Sequence, residues 1–421
     1  MALLRCDEPR FTPGNGPAGG VFTDDVEQLR TLGVHLDGSY LPIQGPPGTG
    51  KTYTGARMVL ELVLHDKRVG ITAMSHHAIE NFMAGVVEAF EEAGQLHRLR
   101  AVRRVPQPRP GTGTGAITYT TDNKQCAKAG FNLVAGTTWL FAGKDLQANP
   151  VDVLLIDEAG QLCLADALAA STSARNLVLL GDPLQLPQVA QAAHPGRSGD
   201  SVLEHVLGDD RTIAAHRGAF LSTTRRMHPG VSRFISEQIY EGRLRTHPSC
   251  AMQNTTMGTG LRWLQARHTG CSTESAEESS MVVRAIEGII GKRFIDAAGK
   301  PRDIAPADVM VVAPYNDQVN RLRADLDDNP ITRGVEVGTV DKFQGREAPV
   351  VFFTMTASTA ADIPRGADFS FSRNRLNVAI SRARAIAYLV CTDELLNSRA
   401  GDVESMKLIA TLCAFVEQCT P

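Results

Sequence analysis

The sequence predicts an α/β protein made of two lobes, each built on a parallel sheet. Short apolar runs rich in β-branched residues alternate with amphipathic stretches along most of the 421 residues, as in parallel strands covered by helices on both faces. A glycine-rich phosphate-binding motif opens this pattern. The length suits two to four domains that each bury their own core, which excludes a disordered tail or a small disulfide-stapled scaffold.

Composition limits how any nucleic-acid partner is held. The chain has 43 basic and 46 acidic side chains and a formal net charge of −3, so its overall field does not attract polyanions and local groups must do so. Eight scattered cysteines form no C-x-x-C pair, which favours reduced thiols in a cytoplasmic protein over a zinc or iron–sulfur site. No apolar run is long enough to span a membrane.

The predicted strands fall into two groups. They are Val69–Ala73, Leu133–Ala135, Val153–Ile156 and Leu177–Leu180, then Val309–Ala313, Val350–Met355 and Ala385–Cys391. We expect a linker-like N-terminus over residues 1–20, a first lobe over 21–215 and a second lobe over 216–421. Ala219–Ser222 is predicted to be the first strand of the second lobe, followed by a polar break or insertion over 247–280. The Pro/Gly-rich residues 9–20 indicate one half of a longer architecture.

The phosphate-binding motif satisfies G-x-x-x-x-G-K-[ST] between a strand-like run and a helical pattern. It consists of Gly45, Pro46, Pro47, Gly48, Thr49, Gly50, Lys51 and Thr52. Glycines let backbone N–H groups wrap phosphates, and the following helix adds its positive dipole end. We expect Lys51 to reach the outer phosphates and the Thr52 hydroxyl to ligate Mg²⁺. Pro42 cannot donate to a sheet ladder, so the preceding strand is expected to be short or to begin late.

Two adjacent acids, Asp157 and Glu158, follow the apolar run Val153–Ile156. At the end of a buried strand, one acid can bind the metal while the other orients or deprotonates water. Asp157 is the predicted metal ligand and Glu158 the predicted catalytic base. Alone, such a pair is more often a solvated strand end; behind a phosphate-binding loop, it predicts hydrolysis of a nucleoside triphosphate. Gln185, beyond the next apolar run, lies where a γ-phosphate sensor is expected.

Six ordered motifs resemble those of the superfamily 1 helicases, subfamily B. They are IQGPPGTGKT, LLIDEAGQ, LLGDPLQLPQV, RRMHP, GTVDKFQGREAPVV and NRLNVAISRAR. The resemblance covers roughly residues 41–391 and implies two RecA-like lobes with the nucleotide in the cleft between them. The text around the first and last motifs is similar to bacterial proteins in which such a helicase follows a RecB-like nuclease domain.

This resemblance implies roles for further residues. Gln185 would couple the γ-phosphate to motion, and Arg226 and Arg382 would act as arginine fingers from the second lobe, where a planar guanidinium stabilises phosphoryl charge. Gln344 and Glu347 would lie near the nucleotide, with Glu347 a ribose or arginine partner. Arg225 stands where the family commonly has an aromatic residue that stacks on the base, so the preference for ATP over GTP is expected to be loose.

The resemblance also places strand-contacting residues in both lobes. They are Ser75, His76, Thr137 and Thr138 in the first lobe and Thr339 in the second. The pair His76–His77 alternatively suggests a metal, although no further ligands stand at useful spacing. The basic run over 97–104 either extends a phosphate track or forms a solvated face.

The leading functional hypothesis is a helicase or translocase that uses ATP and Mg²⁺ to move on single-stranded nucleic acid. DNA and 5′-to-3′ movement are expected, with an RNA helicase as an alternative. There are two other hypotheses. The protein could be a nucleic-acid-stimulated ATPase that remodels protein complexes, or a catalytically inactive binding module. No nuclease constellation is visible in the sequence, so a nuclease would come from another domain or subunit. No membrane partner is expected.

Overall fold

The computed structural model describes residues 2–107, 115–188, 195, 197–343, 345–364 and 372–419. The chain divides into two compact units, one formed by Met1–Pro46 with Gly50–Ser222 and the other by Pro47–Thr49 with Thr223–Pro421. The main sheet of each unit is parallel and carries helices, which confirms the predicted α/β class. In the described residues, no helix is both long and apolar enough to cross a membrane. All eight cysteines are free.

The first unit contains an eight-stranded sheet in which all described neighbours pair in parallel. Its strands are β1 (Tyr40–Gln44), β2 (Val69–Thr72), β3 (Ala101–Arg104), β4 (Ile117–Thr120), β5 (Leu133–Ala135), β6 (Val151–Ile156), β7 (Ala174–Gly181) and β8 (Ala219–Phe220). Their order across the sheet is β4-β3-β5-β2-β6-β7-β1-β8. The helices are α1 (Ala2–Arg5), α2 (Val26–Leu32), α3 (Lys51–Leu64), α4 (His76–Glu92), α5 (Asn123–Cys126), α6 (Thr138–Phe141), α7 (Lys144–Ala148), α8 (Leu164–Ser171) and α9 (Val202–Leu207).

The second unit has a main sheet of parallel strands in the order β12-β18-β17-β15-β16. The strands of this unit are β9 (Thr223–Thr224), β10 (Arg245–Thr246), β11 (Asn254–Thr255), β12 (Gly260–Ala266), β13 (Arg293–Ile295), β14 (Pro301–Asp303), β15 (Val309–Val312), β16 (Glu336–Gly338), β17 (Ala348–Thr354) and β18 (Ala383–Thr392). Its helices are α10 (Pro229–Ile239), α11 (Ala276–Ile289), α12 (Asn316–Asp328), α13 (Arg373–Ile380), α14 (Asp393–Leu396) and α15 (Val403–Glu417).

Both faces of the first sheet are buried, which explains its continuous apolar strands. On one face, Ile43 and Ile71 pack with Phe82 of α4; on the other, Leu154 packs with Phe141 of α6. Because every described strand of this sheet runs in the same direction, the segments that follow the strands all emerge at one edge. The predicted site residues of this unit are found at that edge.

The N-terminus is not a linker, contrary to the prediction for residues 1–20. Ala2 and Leu3 are buried in the core of the first unit, Phe11 bridges to Leu36, and the Tyr40 hydroxyl donates to the Asp7 carbonyl at 2.8 Å. Ala2 and Leu3 precede the first proline, and Phe11 stands alone between two prolines, so the segment is too short and irregular for a periodicity to mark it. Their burial ties this segment to the first unit.

Two other boundaries differ from the prediction. The strand Ala219–Phe220 was expected to open the second lobe, but it pairs in parallel with β1, and the Leu221 N–H donates to the Gln44 carbonyl at 2.9 Å. It therefore ends the first sheet. The segment 247–280 was expected to be a break or insertion, but it contains β12, which pairs with β18 along all seven residues.

The strand before the phosphate-binding loop is neither short nor late, because β1 includes Pro42. The Gly45 N–H donates to Gly181 on the β7 side, and hydrogen bonding alternates along a strand, so the nitrogen of Pro42 faces the β8 side. There pairing begins only at Ile43. The missing N–H of the proline therefore costs no ladder hydrogen bond.

Candidate nucleotide and nucleic-acid sites

The phosphate-binding loop joins β1 to α3, which begins at Lys51. Gly48 and Gly50 have φ values of +74° and +83°, a left-handed conformation that side chains rarely adopt. Such loops present backbone N–H groups to phosphate. The Lys51 ammonium donates to the Gly45 carbonyl at 2.6 Å. Of the other predicted loop residues, Pro46 and Pro47 are buried, and Thr49 and Thr52 are half-buried.

Asp157 and Glu158 lie immediately after β6, next to β7 in the sheet. Burial, reinforced by the charge of Glu158 and opposed by Lys51, raises the pKa of Asp157 to about 7. Glu158 is half-buried with φ +53°, which costs a non-glycine residue about 1–3 kcal/mol. Strain of this kind persists where the surrounding structure imposes it, and it is concentrated at functional sites.

The turn after β6 packs tightly against the turn after β7. A Cβ on Gly160 would lie 2.6 Å from the Asp182 carbonyl oxygen, and one on Gly181 would lie 2.6 Å from the Gly160 nitrogen. The Ala159 N–H donates to the Leu180 carbonyl at 2.8 Å. Side chains are thus excluded from both positions, and this close approach fixes the acidic pair beside the Gln185 segment.

Asp182 was not singled out from the sequence, yet it connects two segments of the site. Its buried carboxylate accepts from the Gln185 amide at 2.8 Å and from the Gln44 amide at 3.3 Å. Gln44 is the last residue of β1, directly before the phosphate-binding loop. Charged acceptors form stronger hydrogen bonds than neutral ones, so this carboxylate orients the predicted sensor. Its position inside the motif that carries Gln185 was the available signal.

These residues fit a nucleotide with Mg²⁺. Gly48 and Gly50 have the left-handed conformation that is typical of phosphate-binding loops. The Asp157 carboxyl is desolvated and interacts with the charge of Lys51, so a bound cation would favour its ionised form. The Thr52 hydroxyl and the Asp157 carboxyl carry oxygen atoms of the kind that Mg²⁺ prefers together with phosphate oxygens. Across the described ranges, no group of three or more His, Cys, Asp or Glu residues is arranged to hold a metal.

Two of the residues predicted for the second unit, Arg226 and Glu347, form an ion pair. The Arg226 Nε lies 2.7 Å from the Glu347 carboxylate, and its Nη1 donates to the Ser381 carbonyl at 3.2 Å. Arg382 is buried, with Nη1 3.4 Å from the Arg346 carbonyl oxygen. Of the two partners predicted for Glu347, the structure pairs it with an arginine.

Three further residues were predicted as site residues of the second lobe. Arg225 is exposed and directly follows β9. Thr339 is half-buried directly after β16. Gln344 lies outside the described residues.

The predicted strand-contacting residues of the first unit follow two adjacent strands. Ser75 follows β2, and its hydroxyl caps α4 by accepting from the Ala78 N–H at 3.0 Å. Thr137 and Thr138 follow β5. Since β5, β2, β6, β7 and β1 are consecutive in the sheet, these hydroxyl groups and the phosphate-binding residues occupy neighbouring positions on one edge.

The basic run over 97–104 separates into two parts. Arg103 and Arg104 lie at the carboxyl end of β3, whereas the preceding basic residues lie at its amino end. The buried Arg103 guanidinium contacts His76 Nδ1 at 3.0 Å and lies 3.5 Å from the Glu80 carboxylate. Arg103 therefore positions His76, and only the last two residues of the run belong to the edge that carries the other predicted contacts.

The raised pKa of Asp157 predicts a pH-dependent stability of the nucleotide-free protein. The folded-state pKa of about 7 exceeds the ordinary 3.8, so the free energy of unfolding falls as the pH rises from about 4 to about 7 and stays low above it. Asp157→Asn should therefore raise the melting temperature at pH 8. The corresponding increase in the free energy of unfolding is at most about 4 kcal/mol, and it should become smaller towards pH 5. Thermal unfolding across this pH range measures it. The exposed Asp210→Asn is the control, and a gain independent of pH would contradict the prediction.

Comparison with known proteins places the chain in a family. A family described as AAA domain matches residues 25–244, more than half of the chain, and a second family of the same description matches 199–394. Rat DNA-binding protein SMUBP-2 is 26% identical over 85% of this chain and 42% of that protein. The DNA polymerase alpha-associated DNA helicase A of Schizosaccharomyces pombe is 24% identical over 81% of this chain and 59% of that protein. The chain therefore spans about half the length of these relatives.

A solved structure agrees with the fold. The DUF1998 helicase MrfA bound to DNA aligns with 97% of this chain and 55% of its own, with a TM-score of 0.50 at 10% identity. At this identity the similarity concerns the fold alone. The family match over residues 25–244 covers more than half of the chain and leads to one assignment: the chain belongs to the AAA-domain family.

Proposed function

We propose that this protein is an ATP-dependent helicase or translocase on single-stranded nucleic acid, with DNA as the preferred strand and 5′-to-3′ movement. One observation carries the proposal. The residues suited to phosphate and metal follow β6, β7 and β1, while the hydroxyl groups suited to a strand follow the adjacent β5 and β2. A change at the nucleotide therefore acts on the same sheet edge that would contact the strand.

The first lobe would bind and activate the nucleotide. Gly45, Pro46, Pro47, Gly48, Thr49 and Gly50 form the loop around the phosphates, with Lys51 on the outer phosphates. Thr52 and Asp157 would hold Mg²⁺, which when bound neutralises phosphate charge. Glu158 would accept a proton from the attacking water, and Gln185 would sense the γ-phosphate. The strained backbone at Glu158 and the Asp182 link to Gln185 support these roles.

The second lobe would supply the groups that respond to phosphoryl charge. In the proposal, Arg226 and Arg382 act as arginine fingers, while Arg225, Gln344 and Glu347 serve the nucleotide. The ion pair of Arg226 with Glu347 supports a poised guanidinium, because a charged partner restricts its rotamers. Thr339 would contact the strand. We assign these tasks to a lobe that begins after Ser222, where the first sheet ends.

An assay of ATP turnover and strand displacement tests the proposal. The wild-type protein should hydrolyse ATP faster with single-stranded DNA than with RNA, and it should unwind a duplex with a 5′ overhang faster than one with a 3′ overhang. Lys51→Ala should abolish both activities, since the ammonium binds the outer phosphates. The control is Lys67→Ala, which lies beyond the end of α3.

Other outcomes would select among the alternatives. Stimulation by RNA alone would identify an RNA helicase, and stimulated hydrolysis without strand displacement would favour an ATPase that remodels protein–nucleic acid complexes. Absence of hydrolysis in the wild type would leave a binding module. The free thiols suit the proposed cytoplasmic location. A nuclease domain or subunit is a proposed partner, which co-purification of nuclease activity with the native protein would test.

A further inference from the structure

Trp139 is the most exposed large apolar side chain in the part of the chain that the structure describes. It is 85% exposed, whereas the next two residues, Leu140 and Phe141, are 3% and 0% exposed. Burying a tryptophan is among the most favourable contributions of any side chain. An indole that is 85% exposed on a structured element leaves its apolar ring face available to a planar partner.

The direction of Trp139 is set by close packing rather than by a loose loop. A Cβ on Gly136 would lie 2.5 Å from Leu140 Cδ2, and one on Gly70 of β2 would lie 2.7 Å from Phe141 Cε1. Both glycines therefore make room for the side chains that anchor α6 to the sheet. With Leu140 and Phe141 fixed below, the four-residue helix α6 must carry Trp139 on its outer side.

The surroundings of Trp139 suit a single strand. It directly follows Thr137 and Thr138 at the carboxyl end of β5. On one side, Arg104 ends the neighbouring β3, and its Cβ is only 3.4 Å from where a Gly136 Cβ would lie. On the other side, Ser75 follows β2. Trp139 thus follows a strand whose two neighbours end in a cation and lead into a hydroxyl group, and such groups contact a phosphate backbone.

We propose that Trp139 is a stacking platform for one base of the bound single strand. The inference rests on the proposed single-strand binding and adds a base contact to a set of hydroxyl and cationic contacts. Because every base has a π-face, stacking tolerates any sequence, which a protein that moves along a strand requires. The occupant is a nucleobase; a strand without bases retains only the phosphate contacts.

Tryptophan fluorescence provides a direct test, because the chain has only two tryptophans, Trp139 and Trp263. In the Trp263→Phe variant, saturable quenching by oligo(dT) is expected to report stacking on Trp139. In the otherwise wild-type protein, Trp139→Ala should weaken oligo(dT) binding about 5- to 150-fold, while Trp139→Phe should retain most of the affinity. Ile331→Ala, also exposed but in the second unit, should change nothing.

An abasic oligomer separates stacking from a structural effect. Wild-type protein should bind the abasic strand as weakly as Trp139→Ala binds oligo(dT), and Trp139→Ala should not distinguish the two strands. Unchanged thermal unfolding of Trp139→Ala checks its fold. If the wild type binds oligo(dT) and Trp139→Ala binds it equally well, the stacking inference fails while the proposed function stands. If the wild type binds no single strand, the proposed function itself fails.

Discussion

Replacing Glu158 with glutamine is expected to lower the kcat for ATP about 10²- to 10⁴-fold, the usual contribution of a general base. Glutamine keeps the volume and hydrogen-bonding reach of the side chain but takes up no proton at neutral pH. Both residues are equally restricted at φ +53°, so the backbone strain is unchanged. The expected defect is therefore chemical rather than structural.

Nucleotide binding should survive this substitution. The charge of Glu158 is one cause of the raised pKa of Asp157, so removing that charge makes ionisation of Asp157 easier. An ionised Asp157 favours binding of the nucleotide together with Mg²⁺. Steady-state turnover and titration with a fluorescent ATP analogue separate the two effects. Glu27→Gln, an exposed residue of α2, is the matched control. Parental turnover by Glu158→Gln would show that another group is the base.

Replacing Arg382 with alanine is expected to lower kcat about 10³- to 10⁵-fold, as removal of an arginine finger does in related phosphoryl-transfer enzymes. Lysine should restore little of this loss, because an ammonium does not reproduce the planar, two-pronged guanidinium. The affinity for ATP should change far less than kcat, since the guanidinium acts on charge that develops during transfer.

The burial of Arg382 requires a control for folding. The side chain is 3% exposed and contacts the Arg346 carbonyl, so alanine also leaves a cavity that lowers stability. Thermal unfolding of Arg382→Ala and Arg382→Lys measures this loss of stability. Arg384→Ala, two residues along the same segment and bonded to Gln253 at 2.9 Å, tests whether any arginine here has the same effect. Equal losses in both variants, or a loss in ATP affinity alone, would exclude a finger role for Arg382.

The sequence predicted most of the buried strands and the residues that follow them, but it missed β3, whose arginines were interpreted as part of a basic run. The position of Asp157 directly after β6 could be predicted, because a long apolar run that ends in acidic residues has few alternative structures. The edge strand β12 was missed, since its middle residues are only half-buried and carry no continuous apolar pattern. The strand at Ala219 was assigned to the wrong sheet because pairing partners are not encoded locally.

Long-range contacts explain the other differences at the site. The role of Asp182 depends on two amides, one of them on β1, far away in the sequence. Trp139 stands in an apolar run and would ordinarily be a core residue; only the packing of Leu140 and Phe141 directs it outwards. Gly70 and Gly136 take part in that packing, and a glycine in a strand pattern does not show which side chain needs the space.

The bond between Gln185 and Asp182 gives the predicted sensor a competing partner inside the protein. The same amide nitrogen that would face a γ-phosphate already donates to a buried carboxylate, and hydrogen bonds to charged groups contribute about 1.5–3 kcal/mol. A phosphate must therefore replace a carboxylate, rather than water, as the hydrogen-bond acceptor of the Gln185 amide. Exchange between two comparable acceptors has a small net free energy, so the side chain can return to Asp182 when the phosphate leaves. A reversible cycle requires that neither hydrogen-bonded position of the amide is much more stable than the other.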